Sequence, residues 1–127
     1  MIARLYADDA GETHLADYEF PFEARGDDGQ VRMRGLLDVP TGKLGIHDVL
    51  EKAPSADFHS TSPRKLIAVL RGTFEIAASD GDRRRFGPGD ILLTDDLNSK
   101  GHAFQDVGTD TLLTVIAEID EAWTYPV

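Results

Sequence analysis

Four histidines, one lysine at the head of an apolar run and a pair of aspartates are the residues of this chain that could do chemistry. His59 lies in DFHSTSPRK, just ahead of the apolar stretch Leu66–Leu70. Imidazole is the commonest metal ligand and titrates near neutral pH, so His59 reads as a metal ligand, a catalytic base or a hydrogen-bonded packing residue. His47, in KLGIHDVL, shares a face with Gly45 and Val49 if that segment is extended. His14 has no motif around it and reads as surface. Protonated Lys65 has no lone pair for a metal. It either lies along a wall and reaches solvent or points inward and holds an anion such as a carboxylate or phosphate. Arg64, one residue earlier, takes the opposite face, and its planar fork suits a carboxylate or a rim ion pair. Asp95 and Asp96 precede the segment NSKGH that ends at His102. Paired carboxylates bind Mg or Ca, fix a histidine tautomer, or sit in a solvated turn. Ser60, Thr61 and Ser62 make no triad, and the chain has no nucleophile elbow, phosphate-cradling loop or dinucleotide fingerprint.

The totals narrow the field around these residues. A length of 127 residues suits one domain spanning residues 1–127, large enough to fold without a disulfide or structural metal. Thirteen Lys and Arg stand against 23 Asp and Glu, a net charge of −10. Such a field repels phosphate backbones and anionic membranes, so neither nucleic acid nor membrane is expected as a partner. The absence of cysteine excludes disulfide scaffolds, thiolate metal sites and thiol nucleophiles. Without a signal-like start or an apolar run of about 20 residues, the expected location is cytoplasmic.

The elements that must position the candidates read as short strands. Ile2–Tyr6 is expected as an edge strand. EARGDDGQ, residues 23–30, reads as a surface loop. Val31, Met33 and Gly35 face opposite to Arg32 and Arg34. In the next segment Leu44, Ile46, Asp48 and Leu50 oppose Gly45, His47 and Val49. HDVLEKA could form one helical turn before Pro54 stops it. The run Lys65–Leu70 is apolar on both faces, as a strand between two layers would be. Phe74, Ile76 and Ala78 then alternate, Asp80-Gly81 signals a tight hairpin, and Arg83–Phe86 returns. Alternation sends Arg84 away from Arg83 and Arg85, so that run is a solvated strand paired with acids rather than one patch. Gly87-Pro88-Gly89 marks a second turn, and strands at Ile91–Thr94 and in TLLTVIAEI complete an all-β set. In the tail, Trp123, Tyr125 and Val127 alternate. This tail or MIARLY could cover an apolar edge in a homodimer.

In FHSTSPRKLIAVLRG and GDRRRFGPGDILLTDDLNSKGH the chain resembles the cupins, the small jelly-roll barrel family, over roughly residues 35–118. The family's first motif is a histidine pair around one residue, a glutamate, and an apolar strand ending in glycine, here Gly72. Its second motif is a Gly-Asp turn, a strand and a final histidine, here Gly89-Asp90, Ile91–Leu93 and His102. The histidine pair is reduced to His59, between Phe58 and Ser60, and Lys65 stands in the place of the glutamate ligand. The resemblance implies a single-domain jelly-roll β-barrel or sandwich that brings His102 near His59. With His47 also turned inward, three imidazoles would suit Zn, Ni, Fe or Cu. An inward Lys65 would oppose a divalent ion by about 8 kcal/mol, twice the ~4 kcal/mol of a unit charge at ~4 Å and an effective dielectric of ~20. The implied function is an enzyme acting on a small polar or anionic organic molecule in the pocket. A metal would act as Lewis acid. Without one, His59 or His102 would act as general base while Lys65 holds the substrate. The alternatives are a non-catalytic small-ligand-binding module, sensor or carrier, and a vestigial pocket.

Overall fold

A computed structural model describes residues 1–21, 38–49 and 57–124. Among these, nine strands and no helix form two sheets. The strands are β1 (Ile2–Ala7), β2 (Thr13–Asp17), β3 (Thr41–Val49), β4 (Lys65–Arg71), β5 (Phe74–Ala78), β6 (Arg83–Phe86), β7 (Ile91–Asp95), β8 (His102–Asp106) and β9 (Leu112–Ile119). The expected loop at 23–30, the Val31–Gly35 pattern, Leu50, the stop at Pro54, and Tyr125 and Val127 lie outside the described residues.

From β3 onward the antiparallel pairs are nested like the turns of one long ribbon. β5 pairs β6 around Asp80-Gly81, and β4 pairs β7. The segment at His59 then meets β8 through a single bridge to His102, and β3 pairs β9. Successive pairs fall in alternate sheets, and the wrapped ribbon is joined sideways by β4 with β9 and β5 with β8. The sheets are β2-β1-β7-β4-β9-β3 and β6-β5-β8. The strand expected at an edge, β1, is instead internal. It pairs β2 antiparallel and β7 parallel, and the terminal amine reaches Asp90 at 2.6 Å. With both edges of β1 occupied, MIARLY has no free edge to offer.

The core lies between the two sheets. Phe74, Ile76 and Ala78 point inward as their alternation requires, and Phe74 stacks on Phe86 with ring centroids 5.3 Å apart. Each of these fully buried phenylalanines contributes about 1.5–3 kcal/mol of transfer free energy. Ala3, Leu5, Val69, Leu92 and Leu112 meet them from the larger sheet, with Ile67 and Phe104 partly buried against the cluster. The outer face of β4 departs from expectation. Leu70 is 55% exposed, because no described segment layers over that side. The arginine run divides as expected: Arg83 and Arg85 pair with Glu75, whereas Arg84 binds Asp17 and the Leu15 carbonyl.

Candidate functional site

Residues inside a strand alternate between faces, so a known core residue fixes where its neighbours two positions away point. Phe104 packs on Phe74 at 5.0 Å, so His102 begins β8 on the inward face. His102 is 6% exposed. Its Nδ1 lies 2.7 Å from Oδ2 of Asp96, which is 0% exposed. Burial pushes the Asp96 carboxyl up, but the hydrogen bond from His102, helped by the Thr61 hydroxyl and the imidazole's charge, outweighs it and holds the group below its ordinary value. An ionised Asp96 accepts a proton at Nδ1 and leaves Nε2 of His102 as the free ring position. Asp96 Oδ1 is buried with no hydrogen-bond partner among the described residues. Such a group costs about 1–3 kcal/mol.

His59 covers this dyad. Its backbone exchanges two hydrogen bonds with His102, at 3.0 and 2.9 Å. Directly paired residues share a face, and the two rings lie 4.6 Å apart, tilted by 53°. His59 is solvent-exposed, and its Nδ1 contacts the Asp57 carbonyl at 3.2 Å. Gly101 makes the approach possible. Its φ is +80°, and a Cβ there would stand 2.2 Å from the carbonyl carbon of His59, so no other residue fits without moving the bridge.

The loop between Asp96 and His102 is braced from two directions. Ser99 donates to the Asp96 carbonyl and accepts from the Gly101 amide. The buried Thr13 hydroxyl donates to the Gly101 carbonyl at 2.7 Å and accepts from the Ser79 amide. Lys100 pairs with Glu12 at 2.6 Å. Nearby, His14 joins Asp8 and Asp80, whose hydrogen bonds raise its pKa above the ordinary 6.5. His14 is thus a surface clamp, a role that its sequence context does not signal.

The other expected site residues lie on a second feature. Lys65 shares the inward face of β4 with Ile67 and Val69. Its cross-strand neighbours are Thr94 and Glu118. With Lys43, Gly45, His47, Ile116 and Glu118 it lines a cleft of about 210 Å³. His47 lies over Gly45, where an added Cβ would meet its Nε2 at 2.6 Å. The two features share one end of the fold. Lys65 pairs with Thr94, two residues before Asp96, so their backbones start roughly 8 Å apart at strand spacings of about 4.8 Å sideways and 3.3 Å per residue.

The structure therefore brings His59 and His102 together and sets His47 with Lys65 in the cleft. No group of three His, Cys, Asp or Glu side chains suited to a metal ion occurs among the described residues. The His59–His102 pair offers two imidazoles, and the nearest carboxylate is committed to Nδ1 of His102. The described residues thus do not assemble the three-donor set of a catalytic transition-metal site. Arg64, expected at a rim, is buried and donates to the Asp120 and Trp123 carbonyls at 2.7 and 2.6 Å, with Asp95 3.8 Å away. Asp95 also binds Arg4, so the two adjacent aspartates serve different partners. Trp123 is held by this arginine and lies in no strand among the described residues. Thr13 and Ser79 were not among the residues that the sequence singled out, and Thr61 was set aside with its neighbours; their proximity in space reveals all three.

No protein-family model and no curated protein matches this chain. No described helix is long and apolar enough to cross a membrane.

Proposed function

We propose that the protein is a cupin-like jelly roll in which His102 and Asp96 form an acid–base centre acting on a small polar or anionic organic molecule, without need of a metal. The nested pairing and the alternation of successive pairs between two sheets support the jelly roll, because a doubled Greek-key ribbon produces that order. The observation that carries the chemistry is the 2.7 Å contact between His102 and the fully buried Asp96. A buried carboxylate that fixes one ring nitrogen holds the imidazole in a single tautomer and orientation. Nε2 can then take and return a proton, while the exposed His59 forms the entrance wall and Lys65 holds an anionic group. A reaction of this class is proton transfer at a carbon next to a carbonyl or carboxylate, as an isomerase or epimerase requires.

The test is proton exchange in D2O. Small keto and hydroxy carboxylates are incubated with the protein, and loss of each α-proton signal is followed by NMR. The expected result is exchange on at least one compound, slowed about 10²–10⁴-fold in His102→Gln. Exchange that persists at the wild-type rate in that variant removes His102 from the chemistry. The second reading, a binding module without turnover, is favoured by one observation: the cleft of Lys43 and Lys65 is lined by neither His59 nor His102. Binding with no exchange on any compound selects it. A cytoplasmic homodimer accords with either reading. Its face would lie on the outer side of β3 and β4, where Leu44, Ile46 and Leu70 are 60%, 70% and 55% exposed.

A further inference from the structure

We infer that the cleft between β3, β4 and β9 is a binding site for a small hydroxy-monocarboxylate. The inference rests on the small-molecule role proposed above but not on turnover. Its first ground is the state of the charged side chains. Lys43, His47, Lys65 and Glu118 have no hydrogen-bond or ion-pair partner among the described residues. Elsewhere in the described structure, the arginines on the strands are each paired with an acid: Arg4 with Asp95, Arg71 with Asp48, Arg83 and Arg85 with Glu75, and Arg84 with Asp17. Lys65 and Glu118 are directly opposite each other on neighbouring strands and both are partly buried, yet they do not close an ion pair. A partly buried ammonium without a partner is unfavourable, and an anionic ligand between the strands would relieve it.

The second ground is the charge count. Two lysines and one glutamate leave the cleft at +1 before the histidine is counted. A monocarboxylate brings the sum to zero, whereas a phosphate dianion would leave an excess negative charge in a protein that already carries −10. Phosphate recognition commonly draws on helix N-termini, and the described residues contain no helix. Glu118 is an acceptor only, so the ligand must supply a donor. A hydroxyl does so without disturbing the charge balance, and an ammonium would return it to +1. Ile116 supplies an apolar wall, and Gly45 leaves the room in which the His47 ring sits. The geometry assigns the carboxylate to Lys43 and Lys65 and the hydroxyl to Glu118.

The experiment is a titration of the full chain followed through the methyl resonances of Ile116, with L-lactate, acetate and inorganic phosphate as probes. Lactate is expected to give a saturable shift, with acetate and phosphate each at least several-fold weaker. Lys65→Met and Lys43→Met should each weaken lactate about tenfold, and Glu118→Gln should bring lactate and acetate within about twofold of each other. Three results overturn the inference: no saturable lactate shift up to tens of millimolar, phosphate binding more tightly than lactate, or lactate binding unchanged in both lysine variants. The wild-type comparison of the three probes stands even if a variant fails to fold. A saturable shift without proton exchange would leave this site standing while removing the acid–base reading.

Discussion

The two polar clusters at this end of the fold are built on opposite terms. Around His102 most inward polar groups are matched: Asp96 Oδ2 takes Nδ1, Thr13 takes the Gly101 carbonyl and Ser99 braces the loop, while Asp96 Oδ1 and one ring position are left without a partner among the described residues. Around Lys65 the arrangement is the reverse: among the described residues, four ionisable side chains face a cleft without partners. The first arrangement fixes orientation, which proton transfer demands. The second keeps charge available, which ligand capture demands. The difference traces to position in the nested ribbon. β8 is enclosed by β5 on one side and the His59 bridge on the other, whereas β3 is, among the described residues, the last strand of its sheet.

The comparison breaks most severely at Gly101. Gly101→Ala places a methyl group where the His59 backbone stands and requires a left-handed conformation of alanine. The expected loss is about 3 kcal/mol in urea denaturation, together with loss of cross-ring nuclear Overhauser contacts between His59 and His102. Wild-type stability in that variant would show that the bridge is not tight.

Asp96→Asn is expected to cost about 1–3 kcal/mol. Its pH dependence is more telling than its size. The folded-state pKa of Asp96 lies below the ordinary 3.8, so its contribution is complete above that value and is lost as pH falls through the lower folded-state value. Unfolding measured from neutral to strongly acid pH should therefore show a shallower acid limb in the asparagine variant. An identical limb would mean that the carboxyl is not held ionised by His102. Smallest is the effect of Lys65→Met without ligand. Removal of an unpartnered ammonium should leave stability unchanged or raise it by up to about 1 kcal/mol. A clear loss in thermal unfolding would instead make Lys65 a structural residue and erase the contrast between the clusters.

Much of the fold was legible in the chain. The Asp80-Gly81 turn, the alternation of Phe74, Ile76 and Ala78, and the division of the arginine run all follow from residues within a few positions of one another. Parallel pairing of β1 with β7 was hidden, because an alternating strand reads the same at an edge or inside a sheet. Asp96 carried three readings that its own neighbours do not separate, and Thr13 and Ser79 carried none. The histidines show the limit most directly: sequence made His47 and His59 comparable, and wrapping set one in the cleft and the other over the dyad.

By itself the sequence determined which segments extend, where they turn and which side chains share a face, since these depend on φ preferences and a two-residue period. Tertiary structure alone decided that residue 59 meets 102, that 13 reaches 101, and that Lys65 stands opposite Glu118. Those contacts join positions tens of residues apart, and they arise from how the whole ribbon buries its apolar face, a sum of many small terms that no local stretch contains.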